Sequence, residues 1–131
     1  MGTDIHIHIE YKSRKKKGYR YGGKFLGERL YGVFEILAGV RSELPPLYPL
    51  RGLPGEVTKE TLSNYHIDKC DSHHIGWLTT DEFGACLEEA AIRYFNEAPN
   101  DWLRPYERIY EYMKEHEGYG ERCRIIFWFD N

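Results

Sequence analysis

Asp4-Ile5-His6-Ile7-His8-Ile9-Glu10 alternates strictly between isoleucine and side chains that carry acid–base chemistry. A period of two belongs to a β-strand, so Asp4, His6, His8 and Glu10 share one face and the isoleucines share the other. Side chains two apart on a strand lie about 7 Å apart at the backbone. Two imidazoles at that spacing can converge on one divalent metal, giving Asp4, His6 and His8 as a ligand set, with Glu10 as an alternative oxygen. Without a metal, the same spacing lets His6 act as a general acid or base that a carboxylate such as Glu10 orients. A strand face that merely tolerates polar residues accounts for the alternation as well.

A second cluster, Cys70-Asp71-Ser72-His73-His74, leads into Ile75-Gly76-Trp77-Leu78. It offers His73 as a further acid–base group and His74 and Trp77 as ligand contacts. Equally, it reads as a polar loop with Trp77 as its core anchor. No Gly-x-Ser-x-Gly elbow occurs, which argues against a Ser-His-Asp hydrolase. Arg41 ends a helical stretch and Arg51 sits in Arg51-Gly52-Leu53-Pro54, so rigid chain holds both. Such arginines suit planar recognition of phosphate or carboxylate, or else tie down loop carbonyls. Tyr31, with Tyr19, Tyr21, Tyr48 and Tyr65, is placed to stack on a base. Arg14-Lys15-Lys16-Lys17 reads as a solvated turn that can also draw an anion. The expectation is one pocket that gathers His6, His73, Arg41 and Arg51.

These residues need elements to position them. Asp4 to Lys12 predicts a strand, Lys12 to Gly18 a basic turn, and residues 19–26 a second strand with a bulge at Gly22-Gly23. Leu30, Val33, Phe34 and Leu37 predict a short helix that Gly39 stops. Four prolines between Arg41 and Gly55 exclude regular structure there. Residues 56–76 are polar and read as mostly loop, with one helical turn. Thr79 and Glu82 form a capping box for a helix ending near Asn96. Asn100 or Asp101 caps a last helix with a buried stripe of Leu103, Tyr106, Ile109, Tyr110 and Met113, which Gly118 stops. Residues 122–130 then alternate again, with Cys123, Ile125, Phe127 and Phe129 opposite Arg124, Ile126 and Trp128. The sum is an α+β fold: a small, mainly antiparallel sheet of strands near 4–12, 19–26 and 122–130, with about three helices packed on one face.

Composition narrows the classes of function. The 131 residues suit a single domain, 1–131, and 41% hydrophobic with 15% aromatic residues is enough for a real core. A net charge of −3 does not favour long nucleic acid. No run of eighteen apolar residues and no secretory leader is present, so the expected setting is cytoplasmic, away from membranes. Three scattered cysteines fit a reducing compartment better than a disulfide framework.

Four stretches together resemble a family of small uncharacterised proteins of bacteriophage and prophage genomes. They are Met1-Gly2-Thr3-Asp4-Ile5-His6 with Glu10, Leu30-Tyr31-Gly32-Val33-Phe34 through Leu37-Ala38-Gly39-Val40-Arg41, Arg51-Gly52-Leu53-Pro54, and Asp71-Ser72-His73-His74 with Trp77-Leu78. The likeness spans roughly residues 1–80. Family members usually carry cysteine where this chain has Thr3, and serine patterns where it has His74. The resemblance implies a phage-type counter-defence protein in the host cytoplasm, acting on a nucleotide immune signal of the CBASS or Thoeris kind. The expected activity is that of a phosphodiesterase on a small linear or cyclic nucleotide. His6, His73 and Glu10 would be catalytic, and Arg41, Arg51, Tyr31, His74 and Trp77 would bind substrate. The cofactor is either none or a divalent metal. The alternative is a protein, homo-oligomeric or not, that sequesters the nucleotide or inhibits a host defence protein without turnover.

Overall fold

The computed structural model describes residues 2–95 and 100–131. Strands β1 (Asp4–Ser13), β2 (Arg20–Leu26), β3 (Ser72–Thr79) and β4 (Glu121–Asp130) form one antiparallel sheet in the order β2-β1-β4-β3. The helices are α1 (Tyr31–Ala38), α2 (Lys59–Asp68), α3 (Thr80–Ala90) and α4 (Arg104–Gly118). α3 continues into a π turn over Ala91–Phe95, and a 3-10 turn at Asn100–Trp102 precedes α4. The mixed α+β class expected from the pattern is the one found.

Alternation places Ile5, Ile7 and Ile9 of β1 beside Cys123, Ile125, Phe127 and Phe129 of β4, all buried. Three helices cover this face: Val33, Phe34 and Leu37 from α1, Phe83 and Leu87 from α3, and Tyr106, Ile109 and Met113 from α4. Each such side chain contributes roughly 1.5–3 kcal/mol by leaving water. Gly39 ends α1 in the left-handed conformation (φ 72°), and its N–H donates to the Glu35 carbonyl. The α3 capping box forms in full: Thr79 Oγ1 accepts the Glu82 N–H and Glu82 accepts the Thr79 N–H. The hairpin bulge also forms, as a register shift between Ile9 and Glu10 opposite Gly23 and Tyr21.

The other face holds the differences. Residues 56–76, expected to be mostly loop, contain the three turns of α2 and the start of a fourth strand. α2 has no apolar stripe: only Thr61 is buried, and Ile67 is 80% exposed. Its helix is fixed by the Thr58 cap, which accepts the Thr61 N–H, and by Tyr65 packing edge-on against Trp128 at 5.4 Å. β3 escapes an alternation test because its register breaks between His73 and Gly76, with His74 at φ 53°. Gly76 is required there, since a Cβ would come within about 3.0 Å of the Phe127 ring. At the last helix, α4 begins at Arg104 after Leu103 rather than at a cap on Asn100 or Asp101. The expected end of the preceding helix near Asn96 lies outside the described residues.

Three helices on one face is therefore only part of the arrangement, because α2 and the chain before it cover the opposite face. His8 and Glu10 are fully buried under them, with Trp128 and Ile126. Glu10 Oε1 accepts from Arg124 Nε at 2.9 Å and Nη2 at 2.6 Å, and its Oε2 accepts the Thr58 N–H at 2.8 Å. Arg124 also donates to the Gly55 and Glu56 carbonyls and lies over the Tyr19 ring at 3.5 Å. One buried ion pair thus clamps the start of α2 to the middle of the sheet.

Candidate functional site

His6 projects from β1 opposite Trp128, near the end of the sheet where β1 begins and β4 finishes. Its Nε2 lies 2.5 Å from Asp130 Oδ2, and its ring stacks parallel to Trp128 at 6.2 Å. On its other side Nδ1 is 3.4 Å from Asp68 Oδ2, at the C-terminal end of α2. That Asp68 oxygen also accepts the Trp128 indole N–H at 3.2 Å. With the ring proton on Nε2 and donated to Asp130, Nδ1 is the nitrogen able to move a proton. The group is half-open: the side chains of His6, Asp68 and Asp130 are 19%, 24% and 30% exposed. A carboxylate does orient His6, and it is Asp130. Glu10, expected in that role, is spent on Arg124 two strand positions beyond His8.

His8 shares the face but not the chemistry. Its ring stacks on Trp128 at 4.8 Å, Nδ1 meets the Tyr21 hydroxyl at 2.8 Å, and Nε2 is buried without a partner among the described residues. Burial, with lesser repulsion from Lys24 and His6, pushes its pKa down to about 4. The folded state therefore keeps His8 neutral while the unfolded chain titrates near 6.5. Stability is full above pH 6.5 and falls as pH drops toward 4, because there the unfolded state binds the extra proton. The loss expected over that window is up to about 3 kcal/mol, read by urea denaturation at closely spaced pH values. His8→Phe should flatten it. Glu82, held down to about 2 chiefly by Arg51, loses its contribution only below the usual carboxylate range, in a separate window.

The metal set does not assemble. Arg29 grips the Asp4 carboxylate with Nε at 2.6 Å and Nη2 at 3.0 Å and holds its pKa below the ordinary value. His8 faces Tyr21 and His6 faces Asp130, so the three side chains turn to three different partners. Among the described residues no group of three or more His, Cys, Asp or Glu is arranged to hold a metal.

A second group occupies the same end of the sheet on its other face. Arg41 (φ 56°) donates from Nε to Thr3 Oγ1 at 3.0 Å, and its guanidinium lies 4.7 Å over the Tyr31 ring. Thr3 Oγ1 donates to Asn131 Oδ1 at 2.9 Å, which also accepts from His73 Nε2 at 3.0 Å. With that proton on Nε2, His73 Nδ1 accepts from His74 Nδ1 at 2.7 Å. Burial and the neighbouring His73 lower the pKa of His74. His73 stacks on Phe129 of the core face, whereas His6 stacks on Trp128 of the α2 face. The two groups meet only at the strand ends, through the consecutive residues Asp130 and Asn131.

Arg51 and Trp77 form a third group. Arg51 pairs bidentately with Glu82 at 2.6 and 2.5 Å and lies 4.8 Å over the Trp77 ring. Trp77 is five residues from Ser72 along β3, roughly 17 Å from the end that carries His73. The expected single pocket of His6, His73, Arg41 and Arg51 is thus divided: His6, His73 and Arg41 share one end of the sheet across its two faces, and Arg51 does not join them. Asp68, Asp130, Asn131 and Thr3 were not among the candidates. Continuing the alternation of Arg124, Ile126 and Trp128 by one step places Asp130 on the His6 face, so that residue had a signal. Asp68 had none, because its helix was not predicted. No protein-family model, curated protein or solved structure matches the chain.

Proposed function

We propose that the chain acts on a small phosphate-bearing nucleotide laid across this end of the sheet, as a phosphodiesterase of a nucleotide signal. The observation that carries the reading is the Asp130–His6 hydrogen bond, a carboxylate-oriented imidazole whose second nitrogen lies between α2 and β1, 3.4 Å from Asp68 Oδ2. His6 Nδ1 takes the proton of an attacking water or hydroxyl at phosphorus, and the same proton passes to the leaving oxygen. On the far side of the strand ends, the Arg41 guanidinium supplies positive charge for phosphate, and Tyr31 supplies a stacking face. The resemblance to phage proteins supports a role against host nucleotide signalling.

Retention without turnover is the second reading, whether of the nucleotide or of a host defence protein. It is favoured by Asp68 Oδ2, which sits 3.4 Å from Nδ1, where a reacting hydroxyl would have to come. Incubation with a panel of linear and cyclic nucleotides, followed by chromatography, separates the two. New products support catalysis, intact ligand released on denaturation supports retention of a nucleotide, and neither result ends both nucleotide readings.

A further inference from the structure

We infer, on the reading of the His6 site as one for a phosphate-bearing nucleotide, that the Asp68 carboxylate occupies the place of a phosphodiester oxygen there. The last turn of α2 must release it before the ligand binds. Asp68 Oδ2 accepts the Trp128 indole N–H at 3.2 Å and stands 3.4 Å from His6 Nδ1, the nitrogen that must meet a reacting hydroxyl. The Trp128 ring is wholly buried, with His6 and His8 stacked against it and Tyr65 edge-on. A buried donor without an acceptor is costly. The turn therefore stays shut until another oxygen takes the indole proton in place of the carboxylate.

What else holds the turn is slight. His66, Ile67, Lys69, Cys70 and Asp71 are all exposed, so Asp68 is the one side chain of residues 66–71 that is turned inward. Unwinding this stretch takes no apolar side chain out of a core. Two hydrogen bonds close it: the Asp71 N–H donates to the Asp68 carbonyl at 3.1 Å, and the Ser72 hydroxyl to the Lys69 carbonyl at 3.2 Å. Upstream, Glu10 holds the Thr58 N–H and Tyr65 packs on Trp128. The helix can lose its last turn without leaving the sheet.

Charge selects the replacement. The position already holds one carboxylate, beside a ring whose other nitrogen is bonded to Asp130. A phosphodiester carries a single negative charge and exchanges for Asp68 with no change in the local balance. A phosphomonoester carries about 1.5 to 2 negative charges at pH 7 and adds to the repulsion from Asp130. The site as built therefore favours a diester, whose free oxygen takes the Trp128 N–H while Asp68 turns out to solvent.

The test compares methyl 4-nitrophenyl phosphate, a diester, with 4-nitrophenyl phosphate, the matching monoester, by equilibrium dialysis against the full chain and its variants. Asp68→Ala should bind the diester roughly tenfold tighter than the unaltered chain does, and tighter than it binds the monoester. Asp71→Ala removes an equal charge from the same turn without touching Trp128, and should change diester binding less than about twofold. An equal gain in Asp71→Ala, or no gain in Asp68→Ala, would overturn the proposal. If Asp68→Ala melts early, Asp68→Asn keeps an acceptor for Trp128 and should still gain affinity, by a smaller factor; no gain there overturns the proposal too. In the unaltered chain, saturating diester should speed hydrogen exchange of amides 66–69 and leave 62–64 unchanged. Added protection at 66–69 would mean that the turn closes on the ligand instead of releasing it. Failure of the phosphodiesterase reading has a different signature: no nucleotide is turned over, yet Asp68→Ala still gains diester affinity, and Asp68 then guards a retention site. Turnover lowered in Asp68→Ala would make its carboxylate a working group and overturn the proposal.

Discussion

Glu10→Ala is expected to cost about 3–5 kcal/mol, enough to bring a domain of ordinary stability close to unfolding. Glu10 is fully buried and its partner Arg124 only 5% exposed, so truncation strands a guanidinium in a dry layer. It also removes the acceptor for the Thr58 N–H and releases the start of α2. The coupled replacement Glu10→Met with Arg124→Leu should restore most of the loss, since a buried ion pair exchanged for apolar volume is often near neutral. Urea denaturation of the two variants reads both effects. A cost under 1 kcal/mol for Glu10→Ala would mean that water reaches the pair and that the α2 layer does not seal this face.

His6→Ala is expected to act on the opposite ledger, with a large effect on turnover and a small one on folding. Loss of a general acid or base slows reaction by roughly 10²–10⁴-fold. Asp68 and Asp130 are partly exposed and regain water when the ring is removed, so the folding cost should be about 1 kcal/mol. Ile7→Ala, one residue along and wholly buried, should cost about 2–5 kcal/mol and provides the contrast. Asp130→Asn should leave binding in place and lower kcat, because the amide no longer fixes the proton on Nε2. Turnover within twofold of the unaltered chain in His6→Ala would remove the acid–base role. Thermal melts that place His6→Ala beside Ile7→Ala would mean that its ring carries packing, not chemistry.

What could be read from the chain beforehand was whatever depends on period. Ile5 to Ile9 and Cys123 to Phe129 announced two strands and their faces, and Thr79 with Glu82 announced the start of α3. α2 was hidden because its stabilising contacts are not its own: a cap at Thr58 held by Glu10, and Tyr65 on Trp128, are supplied across 48 and 63 residues of sequence. β3 was hidden by a bulge that shifts its register in mid-strand. The same two omissions scattered the candidate site. Without α2 there is no Asp68, and without the β3 register His73 has no assigned face. Arg51 looked free for phosphate because Glu82 was already assigned to the capping box. In the folded chain its carboxylate serves both, receiving the Thr79 N–H and the guanidinium together.

The pairing of β1 with β4 joins segments far apart in the chain: His6 and Asp130 are separated by 124 residues and lie in the two central strands. Closing a loop of that length costs about 4 kcal/mol of chain entropy before any contact rewards it. The β1–β2 hairpin can form early, but its isoleucines have no β4 beside them until residues 121–130 have left the ribosome. Folding should therefore be slow for a chain of this size and dominated by non-local pairing. Turnover would then be a clock for it: the His6–Asp130 pair, built from one residue of each central strand, comes into being only at the moment the sheet closes.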